Sequence, residues 1–207
     1  MNSLILASSS PRRHHLLSQM GLSFEVVPAD LDETARPHER PESLVRRLAA
    51  SKALAVGEKR PEALVLGADT VVALGAQILG KPRDASDAER MLQMLSGTRH
   101  EICTGVSVWS GVRGLGYVAV SVAHVTFRPL SPVEIQTYVA TGEPMDKAGA
   151  YAIQGGAGRW VESYEGNLET VIGLPRDVVE RLLKRMAGEK AWGSEKHPGT
   201  KGRGSGS

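Results

Sequence analysis

The 207-residue chain has a single cysteine, Cys103. That excludes an internal disulfide and any cysteine-built zinc site, and it suits a reducing compartment. No apolar run approaches the roughly 20 residues a membrane span requires. Met1 to Ala7 has neither the basic start nor the apolar length of a secretory signal, so the expected location is the cytoplasm. Charge of one sign is scarce as well: the net charge of +2 is too near balance for a general nucleic-acid binder, and neither stable nucleic acid nor a membrane is expected as a partner. The six histidines are scattered and never reach the His-Glu-x-x-His spacing. Gly155-Gly-Ala-Gly158 lacks the spacing and context of a dinucleotide loop. Gly75 to Lys81 does reach Gly-x-x-x-x-Gly-Lys, but Pro82 stands where a phosphate-binding P-loop needs Ser or Thr. Zinc hydrolysis, NAD chemistry and P-loop chemistry are disfavoured, and nothing forces a Ser-His-Asp reading.

What is present is the composition of an ordinary globular protein, 41% hydrophobic and 23% charged. Its length predicts one domain, residues 1–187, and a flexible Gly/Ser/Lys-rich extension over 188–207 that carries Lys190, Lys196, Lys201 and Arg203.

The stretch Leu4-Ile-Leu-Ala-Ser-Ser-Ser-Pro-Arg-Arg13 organises the rest. Leu4 to Ala7 reads as a buried strand, and Ser10-Pro11 as the cap and first residue of a helix. A helix start offers unpaired N–H groups and a partial positive charge, and Arg12 and Arg13 add planar forks suited to phosphate oxygens. Arg13, Leu16, Leu17 and Met20 share one helical stripe, so the arginines point toward the core side. After Gly21 comes a strand at Phe24 to Pro28 and an acidic loop, Asp30-Leu-Asp-Glu33. These carboxylates either hold a divalent cation through oxygen or are simply solvated.

Pro41 to Val56 predicts a helix whose apolar stripe, Leu44, Leu48 and Val56, is interrupted by Lys52. That lysine either snorkels to water or presents its ammonium to the anion held by the first helix. Ala63 to Leu74 is the most strand-like stretch, interrupted by Gly67, Asp69 and Thr70. A carboxylate in such surroundings is hydrogen-bonded, metal-bound or chemically used; Asp69 is the candidate general base or metal ligand, with a backbone-capping role the alternative. Val71 to Leu79 predicts a hairpin through Gly75-Ala76, with Gly80 permitting close backbone approach and Lys81 available to phosphate. A helix over Asp84 to Leu95, a second hairpin from Glu101 to Phe127, and a helix opened by Ser131-Pro132 follow. Asp146 to Gly156 reads as a short apolar strand with polar ends, in which Gln154 either reads a base edge or bonds its own loop. A final helix follows Pro175.

These motifs together resemble the Maf family of nucleotide pyrophosphatases: Ala7-Ser-x-Ser-Pro-Arg-Arg13, Gly67-Ala-Asp-Thr70, Gly80-Lys-Pro82, Asp146-Lys-Ala-Gly-Ala-Tyr-x-Ile-Gln154-Gly and Gly173-Leu-Pro175, over residues 3 to 186. The resemblance implies a Maf/ITPase-like α/β fold: an elongated mixed β-sheet flanked by helices, with a cleft between two lobes. It also implies metal-dependent hydrolysis of a nucleoside triphosphate to monophosphate and pyrophosphate, with Mg2+ or Mn2+, by a homodimer. Residue by residue it carries Ser8, Arg12, Arg13, Glu33, Lys52, Asp69, Lys81 and Gln154 into the site. Thr70, Gln154 and Arg12 mark the subgroup resembling dTTP/UTP pyrophosphatases, as opposed to the one acting on 7-methyl-GTP. Arg12, Arg13, Lys52 and Lys81 are assigned to phosphates and Ser8 to a phosphate oxygen. Glu33 and Asp69 are assigned to metal and water, with Asp69 as base. Thr170 stands where the family pattern has Asn. The alternative is a nucleotide-binding regulator of septum formation that acts through a protein partner without turnover.

Overall fold

The computed structural model describes residues 3–188; most of the predicted tail lies outside them. In chain order the elements are β1 (Leu4–Leu6), α1 (Pro11–Gln19), β2 (Phe24–Val26), α2 (Pro41–Gly57), β3 (Leu64–Leu74), β4 (Gln77–Leu79), α3 (Ala85–Leu95), β5 (Arg99–Ser110), β6 (Leu115–Phe127) and α4 (Pro132–Val139). Three short 3-10 turns, Glu143–Asp146, Ala148–Ala150 and Gly156–Trp160, lead to β7 (Val161–Glu165), α5 (Leu168–Ile172) and α6 (Arg176–Ala187). One seven-stranded sheet runs β2-β1-β3-β5-β6-β7, with β4 paired to β3. β1 is parallel to both its neighbours and the other pairings are antiparallel, so the sheet is mixed and the fold α/β.

Alternation along β3 sorts its side chains between two faces. One face carries Val65, Gly67, Asp69 and Val71 toward α2, where Val65 packs with Ala53 and Val56, and Val71 with Leu44 and Leu48. The helix can lie this close because glycine faces it. A Cβ at Gly67 would come within 2.3 Å of the Ala49 carbonyl oxygen, and one at Gly105 within 2.2 Å of that of Val45. The other face carries Leu66 and Ala68 into a core beneath α1 and α6, with Leu16, Leu17, Val179 and Leu182. Farther along the same face, Val72 enters a second core with Leu92, Phe127, Tyr151 and Trp160. Thr70 lies between the two cores. Its hydroxyl meets that of Thr104 at 3.0 Å, and Thr104 donates to the Thr170 carbonyl at 2.7 Å. The lobes are therefore two apolar cores on one sheet face, parted by a seam of threonines.

Several expectations change. β3 is continuous through Gly67, Asp69 and Thr70, because the small and polar residues answer the close helix and the seam and do not bend the strand. Asp146 to Gly156 forms no strand: Gly149 and Ala150 both take positive φ, 66° and 60°, which curls the chain into 3-10 turns. A Cβ at Gly80 would meet nothing within 4 Å, so that glycine is not needed for close approach. β7 and α5 carry no clear sequence signal: β7 is short and half-polar, and α5 is little more than one turn.

Candidate active site

A cleft of about 610 Å³ opens at the threonine seam. Ser8, Arg12, Arg13, Glu33, Lys52, Asp69, Thr70, Lys81 and Gln154 all line it, drawn from six separated stretches of the chain.

The β1–α1 turn supplies the first wall. α1 begins at Pro11, but the Ser10 hydroxyl makes no capping bond. The Ser10 N–H instead donates to Ser8 Oγ at 3.2 Å. The first-turn N–H groups of α1 lack intrahelical acceptors and stay available to an anion. Arg13 is half-buried and held by three neutral acceptors: Nε donates to the Gly173 carbonyl at 2.9 Å, Nη1 to Ser8 Oγ at 3.2 Å and Nη2 to Thr70 Oγ1 at 3.0 Å. Burial lowers its pKa, and the nearby Asp69 charge works against that. No carboxylate pairs with it among the described residues, so it keeps its position and an unspent positive charge. Arg12 stands beside it, half-buried in the cleft wall.

Gly173, in sequence only one glycine of the Gly173-Leu-Pro175 motif, helps to seat Arg13. Its φ of +118° turns its carbonyl to Arg13, and a Cβ there would sit 3.1 Å from Thr70 Oγ1. Thr104 and Thr170 are fully buried behind it. Ser121 Oγ and Thr170 Oγ1 lie 2.7 Å apart, so the threonine that departs from the family pattern is hydrogen-bonded in the seam. Thr104 and Ser121 do not stand out in the sequence, since a threonine or serine in a strand looks like any other strand residue.

The second wall is ionic. Gly67 and Asp69 share a face of β3, so the helix that rests on Gly67 also brings Lys52 over Asp69. The Lys52 ammonium lies 2.6 Å from Asp69 Oδ1 and 2.7 Å from Glu33 Oε1. Lys52 is 6% exposed, so its ammonium does not snorkel to water. Burial of the Glu33 carboxyl would push its pKa up, but the hydrogen bond and charge of Lys52, helped by Lys81 and Arg13, hold it below the ordinary range. Lys81 is largely exposed, its ammonium 3.7 Å from Glu33 Oε2. Gln154 is exposed at the far end, and its amide meets no partner among the described residues.

The acidic loop is not a cation cage. Asp32 accepts from the Thr34 N–H at 2.9 Å, and among the described residues no group of three or more His, Cys, Asp or Glu could hold a metal. Of the cleft carboxylates among the described residues, Asp146 is paired with Lys147 at 2.6 Å, which leaves Asp69 and Glu33. Two carboxylates suit a magnesium-like ion that keeps waters and shares phosphate oxygens, and do not suit a resident structural metal.

A phosphate-seeking turn and a lysine-bridged carboxylate pair face each other across the cleft. The family model described as Maf-like protein matches residues 3–186. The chain belongs to this family. A protein of Anaeromyxobacter dehalogenans named dTTP/UTP pyrophosphatase is 51% identical over 191 residues, covering 91% of this chain and 96% of its own length. One of the same name from Moorella thermoacetica is 47% identical over 193 residues, covering 93% of this chain and 99% of its own. Among solved structures, the Staphylococcus aureus Ham1 protein aligns with a TM-score of 0.44 at 16% identity, over 61% of this chain and 72% of that one. Among the described residues of this Maf-like chain, no helix is long and apolar enough to cross a membrane.

Proposed function

We propose that this protein hydrolyses dTTP and UTP to the monophosphate and pyrophosphate. One observation carries the reading: a buried ammonium bridging two carboxylates shares a cleft with a carboxylate-free arginine at a helix start. The relatives named dTTP/UTP pyrophosphatase support the substrate class. Water attacks the α-phosphorus in line, and the bond from that phosphorus to the bridging oxygen breaks as pyrophosphate leaves. Such a barrier is mostly one of position and charge. Arg13 and Arg12 bind the phosphate chain, the Ser8 hydroxyl donates to one of its oxygens, and Lys81, on its exposed stem, follows the leaving pyrophosphate. Lys52 holds Asp69 by Oδ1, which leaves Oδ2 to take the proton of the attacking water. Lys52 also neutralises charge that grows on the phosphates. A divalent cation, Mg2+ or Mn2+, would be held by Asp69 and Glu33 together with substrate oxygens and would neutralise the triphosphate. Gln154 reads the pyrimidine, with Thr70 and Arg12 lining the same cleft. We also take residues 1–187 as one catalytic domain, active as a cytoplasmic homodimer in nucleotide-pool housekeeping.

The test is pyrophosphate release from a panel of nucleoside triphosphates, with and without magnesium or manganese. The wild type should release it fastest from dTTP and UTP, and only with metal. Asp69→Asn should lower turnover by at least about a hundredfold, the usual range for a general base. Nucleotide affinity without turnover would overturn the reading in favour of a regulator that acts through a partner.

A further inference from the structure

Behind the Gln154 end of the cleft stands a carboxylate that does not line it. Glu143 opens the first 3-10 turn, and its side chain reaches forward across the loop. Oε1 accepts from the Tyr138 hydroxyl at 2.9 Å. Both carboxylate oxygens accept from the Gly156 N–H, each at 3.2 Å. The residue is itself fixed: its N–H donates to Thr141 Oγ1 at 3.1 Å, and its carbonyl accepts from the Lys147 ammonium at 2.6 Å. Gly155 rests directly on the carboxylate, since a Cβ there would lie 1.8 Å from Oε1. The backbone that carries Gln154 is thus seated on Glu143.

We propose that Glu143 is a positioning residue for nucleobase selection: it fixes the turn after Gln154 and so sets where that amide meets the base. This rests on the reading that Gln154 contacts the pyrimidine. Gln154 is exposed, and the turn that carries it is otherwise closed by the Gly155 N–H, which donates to the Ala152 carbonyl at 3.0 Å, just before two glycines, the residues with most freedom to wander. A carboxylate bonded to backbone N–H and a buried tyrosine is among the stronger neutral-to-charged anchors. Without it, the Gly155-Gly156 hinge takes up other conformations, and the cost falls on binding and selectivity. The Lys52, Asp69 and Glu33 group is held by other elements and keeps its geometry.

The experiment compares Glu143→Ala, Glu143→Gln and Gln154→Ala with the wild type, measuring kcat and KM for dTTP, UTP and CTP and the thermal midpoint of each. For Glu143→Ala, KM for dTTP and UTP should rise about tenfold and selectivity over CTP fall by a similar factor, the span one charge-assisted hydrogen bond carries. kcat should stay within about twofold, since the interaction is not one made only in the transition state. Glu143→Gln keeps an acceptor oxygen for Gly156 and should recover most of the loss. Tyr138→Phe removes one partner of the carboxylate while keeping the ring that packs beside Gly156, and should reproduce part of the KM effect if the alanine variant does not fold. If Gln154→Ala relaxes selectivity while a folded Glu143→Ala keeps the wild-type ratio, the positioning role is wrong and the base-reading role of Gln154 survives. If Gln154→Ala leaves selectivity unchanged, the underlying reading fails and this proposal with it.

Discussion

Replacing Lys52 by methionine should separate the ionic centre of the cleft from its packing. Methionine keeps the length of the stem along the apolar stripe of α2, so the change is chiefly the loss of the ammonium. That ammonium sits 2.6 Å from Asp69 Oδ1 and 2.7 Å from Glu33 Oε1, with side-chain exposures of 8% for Lys52, 9% for Asp69 and 42% for Glu33. Removing one partner of a buried pair costs about 3–5 kcal/mol, because the other charge is left without compensation. Here only Asp69 is stranded in full, since Glu33 is open enough for water to screen it, so the lower end, about 3 kcal/mol, applies. For a chain of this size that corresponds to a thermal midpoint lower by roughly 6–12 °C. Urea denaturation at neutral pH measures it, and Lys52→Met/Asp69→Asn is the control. Neutralising the stranded carboxylate should restore at least half of the lost stability, a coupling only contacting residues show. Magnesium should raise the midpoint of Lys52→Met more than that of the wild type, because a cation that binds the folded state stabilises it and the ammonium no longer competes for the carboxylates. A loss below about 1 kcal/mol, the range of an exposed pair, would refute the reasoning, since Lys52 would then be no more than a solvated surface cation.

The packing of α2 on the sheet gives a second test: Gly67→Ala places a Cβ 2.3 Å from the Ala49 carbonyl oxygen and 2.8 Å from the Ala53 nitrogen. Neither backbone atom can rotate away, so the variant should lose at least about 1–3 kcal/mol in urea, whereas Gly80→Ala should stay within about 0.5 kcal/mol. His100 is buried, with Nε2 2.9 Å from the Tyr151 hydroxyl, and burial lowers its pKa from 6.5 to about 4. The unfolded chain therefore takes up a proton more readily, and stability should be full above about pH 6.5 and fall from there to about pH 4, by up to about 3 kcal/mol. His100→Gln should flatten that part of the stability–pH curve, and an unchanged slope would assign it to other groups. Arg13→Lys offers a point charge where a three-way fork is seated, so KM for dTTP should rise about tenfold; an unchanged KM would remove Arg13 from the phosphate site.

Short-range signals were the legible ones. Pro11, Pro41 and Ser131-Pro132 mark helix starts because a proline ring and a hydroxyl cap act within a few residues, and the Gly75-Ala76 turn fixes its hairpin in the same way. What could not be read depends on pairing across distance. Thr104 is an ordinary strand residue until β3 and β5 place it opposite Thr70. Glu143 is an exposed-looking acid in a Gly-Glu-Pro turn until the chain returns at Gly156. The apolar run from Asp146 to Gly156 misleads because its hydrophobic residues serve a curled segment, whose positive φ at Ala150 no composition announces.

Lys52 shows where the boundary lies. In isolation its place on an apolar stripe favours a stem along the core and an ammonium in water. What decides otherwise is two glycines. Gly67 and Gly105 let α2 settle on the sheet at a separation that ordinary side chains forbid, and in register Gly105 stands opposite Asp69. A helix that close has no room to turn a long side chain out to solvent over the strand, so the ammonium is driven onto the carboxylate two residues beyond Gly67. The glycine that permits the approach and the aspartate that receives the charge lie on one face because a strand alternates with period two. The Gly67-x-Asp69 spacing thus specifies both the packing of α2 and the ion pair at the centre of the site, and a change at Gly67 should disturb the Lys52–Asp69 pair without touching either residue.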